Sequence, residues 1–310
     1  MNDAANESRR TVFLTGGSGF VGSAVLDGLL AKGYAVHALV NRKPIDRPGV
    51  ESFAGGLFDD AAIHKGLHGC DAVIHLVGII RESGDQTFNR IHRDGTIRIV
   101  DAAKRLGVGR FLHMSALGAR PGTASRYYTT KAEAEAYVKA SGLDYTILRP
   151  SLIHGPGGEF MEMVADFVRG KRAPYFFMPY FGKGLVGHAS ARIAPVYVED
   201  VARAFVDALS NPRTIGQSID LAGPEVLDWQ KFYAAVSRRL LGQPKLAVGL
   251  PAWYGRLLTN LIPAKLLPFN KSQVVMAAED SVADVAPVED LLGWRPRGFV
   301  ETFEGYADRL

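Results

Sequence analysis

The sequence predicts an α/β fold, a doubly wound parallel sheet with a smaller C-terminal lobe. Three observations carry this. Short apolar runs rich in β-branched residues alternate with segments of helical spacing through the first half of the chain. The first run enters a helix through a glycine-rich turn. The alternation breaks after Pro150 and resumes at Val196.

Taken in order, Thr11–Thr15 (TVFLT) reads as a buried strand. From Val21 the apolar residues Val25, Leu26, Leu29 and Leu30 recur at helical spacing; Lys32 lies in the last turn and Gly33 ends the helix. Ala35–Val40 (AVHALV) and Asp71–Leu76 (DAVIHL) are further strands, followed by a helix through Thr96–Leu106. Arg110–Met114 and Tyr145–Leu148 continue the alternation. After Pro150 the segment Phe160–Val186 is rich in aromatics, Met and Gly. Val196–Leu209 reads as a strand end plus helix and Ser218–Leu221 as a strand. Helices are expected at Asp228–Leu241 and Phe299–Leu310, around a proline-broken apolar stretch, Leu246–Phe269. The expected organisation is a dinucleotide-binding domain over residues 9–150 and 195–222, and a substrate lobe over 151–194 and 223–310.

Composition narrows the function classes. The chain has 310 residues, 47% hydrophobic and 22% charged, an ordinary globular balance. A single cysteine, Cys70, excludes a disulfide framework or a multi-cysteine zinc site and fits a reducing compartment. His64, His68 and Cys70 lie close together, but a metal site would need a further ligand, and no metal is expected. The net charge of +4 comes from scattered Lys and Arg, so no nucleic-acid partner is expected. Met1–Arg10 lacks the apolar core of a signal peptide, and no run reaches the roughly 18 apolar residues of a spanning helix. The expectation is a cytoplasmic protein. Trp253, Leu257, Leu258, Leu261 and Ile262 have helical spacing beside Arg256 and Lys265, a pattern that also suits attachment to a membrane surface.

The strongest motif is Gly16-x-x-Gly19-x-x-Gly22 between strand and helix. The first glycine permits the tight turn, the second lets backbone approach a pyrophosphate, and the third lets the helix pack close to the sheet. The helix N-terminus presents free N–H groups to phosphate. No acidic residue occurs from Gly28 to Ile45, so the usual carboxylate for an NAD ribose is missing there. The second strand instead runs into Asn41-Arg42-Lys43. A guanidinium at Arg42 suits a 2′-phosphate, which favours NADP over NAD.

The motifs TGGSGFVG (15–22), DAVIHLVG (71–78), HRDGT (92–96), GVGRFLHMSALGA (107–119), SRYYTTKAEAE (125–135), LRPSLIHGPG (148–157) and PVYVEDVARAFVDAL (195–209) resemble the short-chain dehydrogenase/reductase superfamily. The similarity is to extended or atypical members related to NAD(P)-dependent epimerases and dehydratases, above all the group containing the nucleotide-binding accessory subunit of respiratory complex I. The resemblance implies a Rossmann fold, and a cofactor set of Gly16, Ser18, Gly19, Phe20, Val21 and Gly22 in the turn, Asn41 and Arg42 after the second strand, Leu57 after the third, and Val77, Gly78, Lys131 and Pro150. It implies a catalytic set of Ser115, Tyr127 and Lys131. Tyr127 and Lys131, four apart, share a helix face. An adjacent ammonium would favour the phenolate of Tyr127; Ser115 would hold the substrate oxygen and Lys131 the nicotinamide ribose. Tyr128, beside Tyr127, reads as packing or a lid contact, and His154, near the expected nicotinamide end, as substrate contact or packing in the turn. Three departures stand out: His92 where the superfamily often has Asn, Gly56 where an Asp often meets adenine, with Asp59 nearby, and no evident nucleotide-sugar insertion between Gly158 and Arg192.

Three readings are compatible with these residues. One is an oxidoreductase moving hydride to or from a carbonyl or secondary alcohol of a small, apolar substrate. Another is a sugar-nucleotide epimerase or dehydratase. The third is a non-catalytic nucleotide-binding module that stabilises a partner, as in a respiratory complex. The oligomeric state stays open.

Overall fold

A computed structural model describes residues 10–41, 44–184, 189–262, 267 and 269–310. The strands are β1 (Thr11–Thr15), β2 (Ala35–Val40), β3 (Val50–Ala54), β4 (Ala72–His75), β5 (Arg110–Met114), β6 (Asp144–Pro150), β7 (Ile153–His154), β8 (Met178–Gly182), β9 (Arg192–Ile193), β10 (Val196–Tyr197), β11 (Gln217–Leu221), β12 (Leu227–Asp228) and β13 (Ala247–Pro251). The helices are α1 (Phe20–Ala31), α2 (Asp60–Leu67), α3 (Gly95–Arg105), α4 (Arg126–Ala140), α5 (Glu159–Val168), α6 (Val198–Ser210), α7 (Trp229–Leu241), α8 (Ala252–Leu261), α9 (Lys271–Ala277), α10 (Ala286–Leu292) and α11 (Phe299–Glu304).

The chain divides into two compact units. The first holds the described residues up to Ser115, with Thr130–Leu148 and Val201–Ile219; the second holds Ala116–Thr129, Arg149–Asp200 and Asp220–Leu310. Sequence patterning places 116–129 with the cofactor sheet, whereas here the stretch groups with the second unit. Its side chains explain this: the Tyr128 ring packs on Gly118, and Arg120 reaches Glu279 at 2.8 Å.

The first unit is built on a seven-stranded sheet in the order β11-β6-β5-β4-β1-β2-β3. Strands β1 to β6 run parallel. Chain order reverses between β1 and β4, the switch point at which doubly wound sheets open a ligand crevice at the strand C-termini. The central strands are apolar on both faces, as parallel strands covered by helices must be; all four residues of β4 are buried. Phe13, Ile63, Leu67, Ile99, Val100 and Phe111 form one core layer. At the far end of β5 the Arg110 guanidinium donates to the carbonyls of Asp144, Ala208 and Leu209 and to Thr146 and Thr214. That cation on the last carbonyls of α6 fastens the helix to the sheet, and burial lowers its pKa to about 10.

The second unit is assembled from short pairings: β7 with β10 and β8 with β13, both parallel, and β9 with β12, antiparallel. Its core is aromatic. His154, Tyr197, Phe232, Phe299, Phe303 and Tyr306 meet stacked, tilted or edge-on with centroids 4.9–6.1 Å apart. Arg297 clamps the buried carboxylate of Asp200 through its backbone N–H, Nε and Nη2. The expected final helix to Leu310 stops at Glu304, and a short 3-10 turn, Ala307–Arg309, follows Gly305. The proline-broken stretch becomes β13 and α8. The aromatic stretch divides: Phe167 and Tyr180 are core, while Tyr175 and Phe176 stand in solvent.

Candidate active site

Backbone geometry makes the phosphate turn. Gly16 has φ +79°, a left-handed conformation that favours glycine, and a Cβ there would press on the Leu76–Val77 peptide at 3.3 Å. A Cβ at Gly22 would come within 2.8 Å of the Gly16–Gly17 backbone, so α1 can lie against the turn only without one. Gly19 donates its N–H to the Gly16 carbonyl at 3.0 Å and forms the N-cap of α1 with no side-chain cap. The first N–H groups of α1, at Phe20, Val21 and Gly22, therefore lack intrahelical acceptors. Ser18 and Gly19 are exposed, whereas Val21 and Gly22 are buried. This cradle fits a dinucleotide pyrophosphate, bound by backbone rather than by charge.

Beyond β2, Asn41 is exposed and its Oδ1 lies 3.7 Å from where a Gly56 Cβ would stand. Arg42 lies outside the described residues. The Leu57 side chain is buried against Gly95, which leaves its backbone for contact with a ligand. Asp59 is occupied: it caps α2 by accepting the Ala62 N–H at 3.0 Å. Val77 is half-buried and Gly78 exposed, directly after β4. Pro150 ends β6, buried, with its carbonyl accepting the Leu117 N–H. Gly16, Ser115 and Pro150 thus follow or end parallel strands at the same edge of the sheet.

Ser115 immediately follows β5. It is 2% exposed, and its Oγ has no hydrogen-bond partner among the described residues. A buried hydroxyl left so costs about 1–3 kcal/mol. Lys131, also 2% exposed, donates from Nζ to the Met114 carbonyl at 3.0 Å, one residue before Ser115. The same Nζ would stand 3.1 Å from a Cβ at Gly78, so glycine there leaves the ammonium room. Burial lowers the Lys131 pKa to about 8, against the opposing attraction of Glu135. Tyr127 lies one turn earlier on α4. Its pKa goes up, not down: burial is the main cause and Tyr128 adds to it. In the chain by itself, burial thus favours the neutral phenol. Tyr128 is packed on Gly118 with Arg120 over its ring, and burial followed by Glu279 raises its pKa to about 12.

Sequence reasoning missed a buried polar network beside these residues. Asn89–Asp94 forms a turn of π-helix ahead of α3, a rare element frequent at functional sites. His92 lies within it, its Nδ1 2.9 Å from Thr130 Oγ1 and its Nε2 facing the Ile79 backbone, next to Gly78. Thr96 donates its hydroxyl to the His92 carbonyl, so His75 Nε2 must donate to Thr96, and His75 Nδ1 accepts from Thr15 at 2.7 Å. His113 stacks on His75 with centroids 5.5 Å apart. Burial, reinforced by Lys131, lowers His75 to about 3 and His92 to about 2 and depresses His113 as well, so all three are neutral. The signal in sequence was the His and Thr at strand ends and helix starts, which no spacing rule connects. His154 is fully buried with its Nδ1 3.0 Å from the Tyr306 hydroxyl, and its Nε2 has no hydrogen-bond partner among the described residues. Cys70 turns inward to the Gly66 carbonyl, and burial raises its pKa to about 12.

Comparison with known proteins agrees with this architecture. A ceramide reductase from Caulobacter vibrioides is 30% identical over 213 residues, 67% of this chain and 63% of its own. An NAD(P)H azoreductase from Xenophilus azovorans is 26% identical over 96% of this chain and 98% of its own. Subunit 9 of the mitochondrial NADH dehydrogenase 1 alpha subcomplex from Mus musculus is 26% identical, the match covering 64% of this chain and 51% of that protein. Against the ceramide reductase and the subunit, then, the matched region spans less than two thirds of the relative's length. In three dimensions, a short-chain dehydrogenase/reductase superfamily protein from Agrobacterium tumefaciens with bound NAD superposes with a TM-score of 0.70 at 19% identity, covering 96% of both chains, a likeness of fold. The profile of the NAD dependent epimerase/dehydratase family matches residues 12–222, more than half of the sequence. On that match, the chain belongs to this NAD(P)-dependent family.

Proposed function

We propose that the protein is an NAD(P)-dependent reductase of a small carbonyl compound with an apolar body, and that Ser115, Tyr127 and Lys131 carry the reaction. The observation that carries the reading is the buried, unpartnered hydroxyl of Ser115 beside the lysine-anchored end of β5. Such a hydroxyl is retained at a cost when a ligand oxygen is its partner.

When bound, the nicotinamide supplies the hydride. Ser115 donates its hydroxyl proton in a hydrogen bond to the carbonyl oxygen and fixes its position. Tyr127, held as the neutral phenol by burial, donates its proton to the same oxygen as negative charge develops there. Lys131 holds the ribose hydroxyls with its ammonium and stabilises the phenolate left behind. Gly16 to Gly22 and the start of α1 hold the pyrophosphate. The names of two relatives, ceramide reductase and azoreductase, favour reduction over epimerisation, and a resting phenol is the form that reduction needs. A guanidinium at Arg42 favours NADPH.

The test is turnover of NADPH against a panel of carbonyl substrates by the wild type and Tyr127→Phe. The variant should lose about 10²–10⁴ in turnover while keeping cofactor affinity. Equal rates in both proteins would remove Tyr127 from the mechanism. A second reading, a nucleotide-binding module that stabilises a partner, takes support from the complex I subunit match. It requires partner recovery that survives Tyr127→Phe and fails when a bulky residue replaces Gly19.

A further inference from the structure

In the second unit, strands β8 and β13 start side by side, with the Met178 N–H donating to the Leu246 carbonyl at 2.7 Å. The two segments leading into them, 169–177 and 238–246, each carry three cations and no acidic residue: Arg169, Lys171 and Arg172 in one, Arg238, Arg239 and Lys245 in the other. Lys245 ties them together. Its ammonium donates to the carbonyls of Phe167, Val168 and Tyr175 at 2.6, 3.2 and 2.7 Å, two of them in the last turn of α5. Arg172 and Arg239 pair with Asp166 and Asp308. Arg169, Lys171 and Arg238 are exposed.

Between these cations stand apolar side chains in water. Phe176 is 87% exposed, Leu246 68%, Tyr175 54% and Leu241 45%. An open bowl of about 460 Å³ lies among them, lined in part by Arg169, Tyr175, Leu241 and Leu246. Exposed aromatic and aliphatic tips concentrated between two segments that carry cations and no acidic residue of their own are not the usual scatter of surface hydrophobics.

We propose that this patch is a docking surface for an anionic lipid bilayer. Phe176, Tyr175, Leu241 and Leu246 enter the interfacial layer, and Arg169, Lys171 and Arg238 meet headgroup phosphates. A stable protein partner needs a shaped patch of about 800 Å² on each side. A bilayer needs only a few apolar tips with cations at headgroup depth, where each near-surface Lys or Arg strengthens binding roughly fivefold. Charge complementarity therefore selects the membrane. No helix among the described residues is long and apolar enough to cross one, so the attachment is peripheral and reversible. The proposal is independent of the reaction assigned above.

The experiment is sedimentation of the full chain with vesicles of phosphatidylcholine, with and without about one third phosphatidylglycerol. The protein should pellet with the anionic vesicles, stay in solution with the neutral ones, and be released by raised salt. Replacing Phe176 and Leu246 together by Ser should weaken binding about tenfold. Replacing Arg169, Lys171 and Arg238 together by Gln should weaken it roughly a hundredfold. NADPH affinity and the thermal midpoint report folding; if the serine pair lowers the midpoint, the exposed glutamine triple decides. A wild type that ignores anionic vesicles, or a glutamine triple that binds them undiminished, overturns the proposal. So does loss in these variants of a protein complex formed by a wild type indifferent to lipid.

Discussion

The two units solve the burial problem in opposite ways. The first encloses polar groups behind its strand ends: His75, His92, His113, Ser115, Thr15, Thr96, Thr130 and Lys131 are all buried. The second buries mainly aromatic surface, and His154, its one buried histidine among the described residues, is packed among Tyr197, Phe299 and Tyr306. Enclosed titratable groups destabilise a fold unless something else requires them. The contrast marks the first unit as the one that holds a cluster of buried titratable groups at its strand ends and the second as the one held mainly by ring packing.

Acid should separate the two most strongly. Each buried neutral histidine has a folded-state pKa below its unfolded value of 6.5, so its stabilising share is complete above pH 6.5 and is lost as pH falls toward about 3 for His75 and His154 and about 2 for His92. The slope is about 1.4 kcal/mol per pH unit for each histidine. His75, His92 and His113 lie in the first unit and His154 in the second. Thermal midpoints from pH 8 to pH 5 should drop below pH 6.5, and hydrogen exchange should find the first unit opening before the second. Equal loss in both units would break the comparison.

In the second unit, Phe232→Ala removes a ring in contact with Phe160, Trp229, Tyr233 and Phe299. It should cost about 3–5 kcal/mol in denaturant titration, with no dependence on pH between 5 and 8. In the first unit, Gly22→Ala forces a Cβ onto the Gly16 backbone and should cost about 1–3 kcal/mol, together with most of the affinity for NADPH, read by fluorescence titration. The smallest effect belongs to Arg42→Ala, which should weaken NADPH binding about tenfold and leave NADH untouched. An equal loss for both cofactors would deny Arg42 a specific phosphate contact.

The same contrast governs what could be read from sequence. Strands β1, β2 and β5 have the limits that apolar runs and glycine stops suggest, because parallel strands and their helices are defined by local pattern. The Gly16–Gly22 turn was legible because φ +79° at Gly16 and the crowding at Gly22 leave glycine as the only fit. The pairing of β8 with β13 was not. MPYFG and AVGLP carry proline and glycine, show no period of two, and meet across 69 positions, from Met178 to Ala247. In the candidate site, Ser115, Tyr127 and Lys131 came from the family resemblance, whose Tyr-x-x-x-Lys spacing the sequence carries. The raised pKa of Tyr127 was not legible, since it reports how deeply the fold encloses the phenol. The histidine–threonine network escaped because its members come from separate elements spread along the chain.

The π-turn at Asn89–Asp94 has a consequence for how this chain tolerates change in length. A π-turn carries one residue more than the α-helical path it replaces. Removing a single residue there would regularise the helix and draw the chain ahead of the cut one position toward α3. His92 would then leave Thr130 and the Ile79 backbone, while α3 kept its place against the sheet. In a stretch of ordinary helical composition, the segment NRIHRD is thus a register lock: it accepts substitutions on its outer face far more readily than the loss of one position.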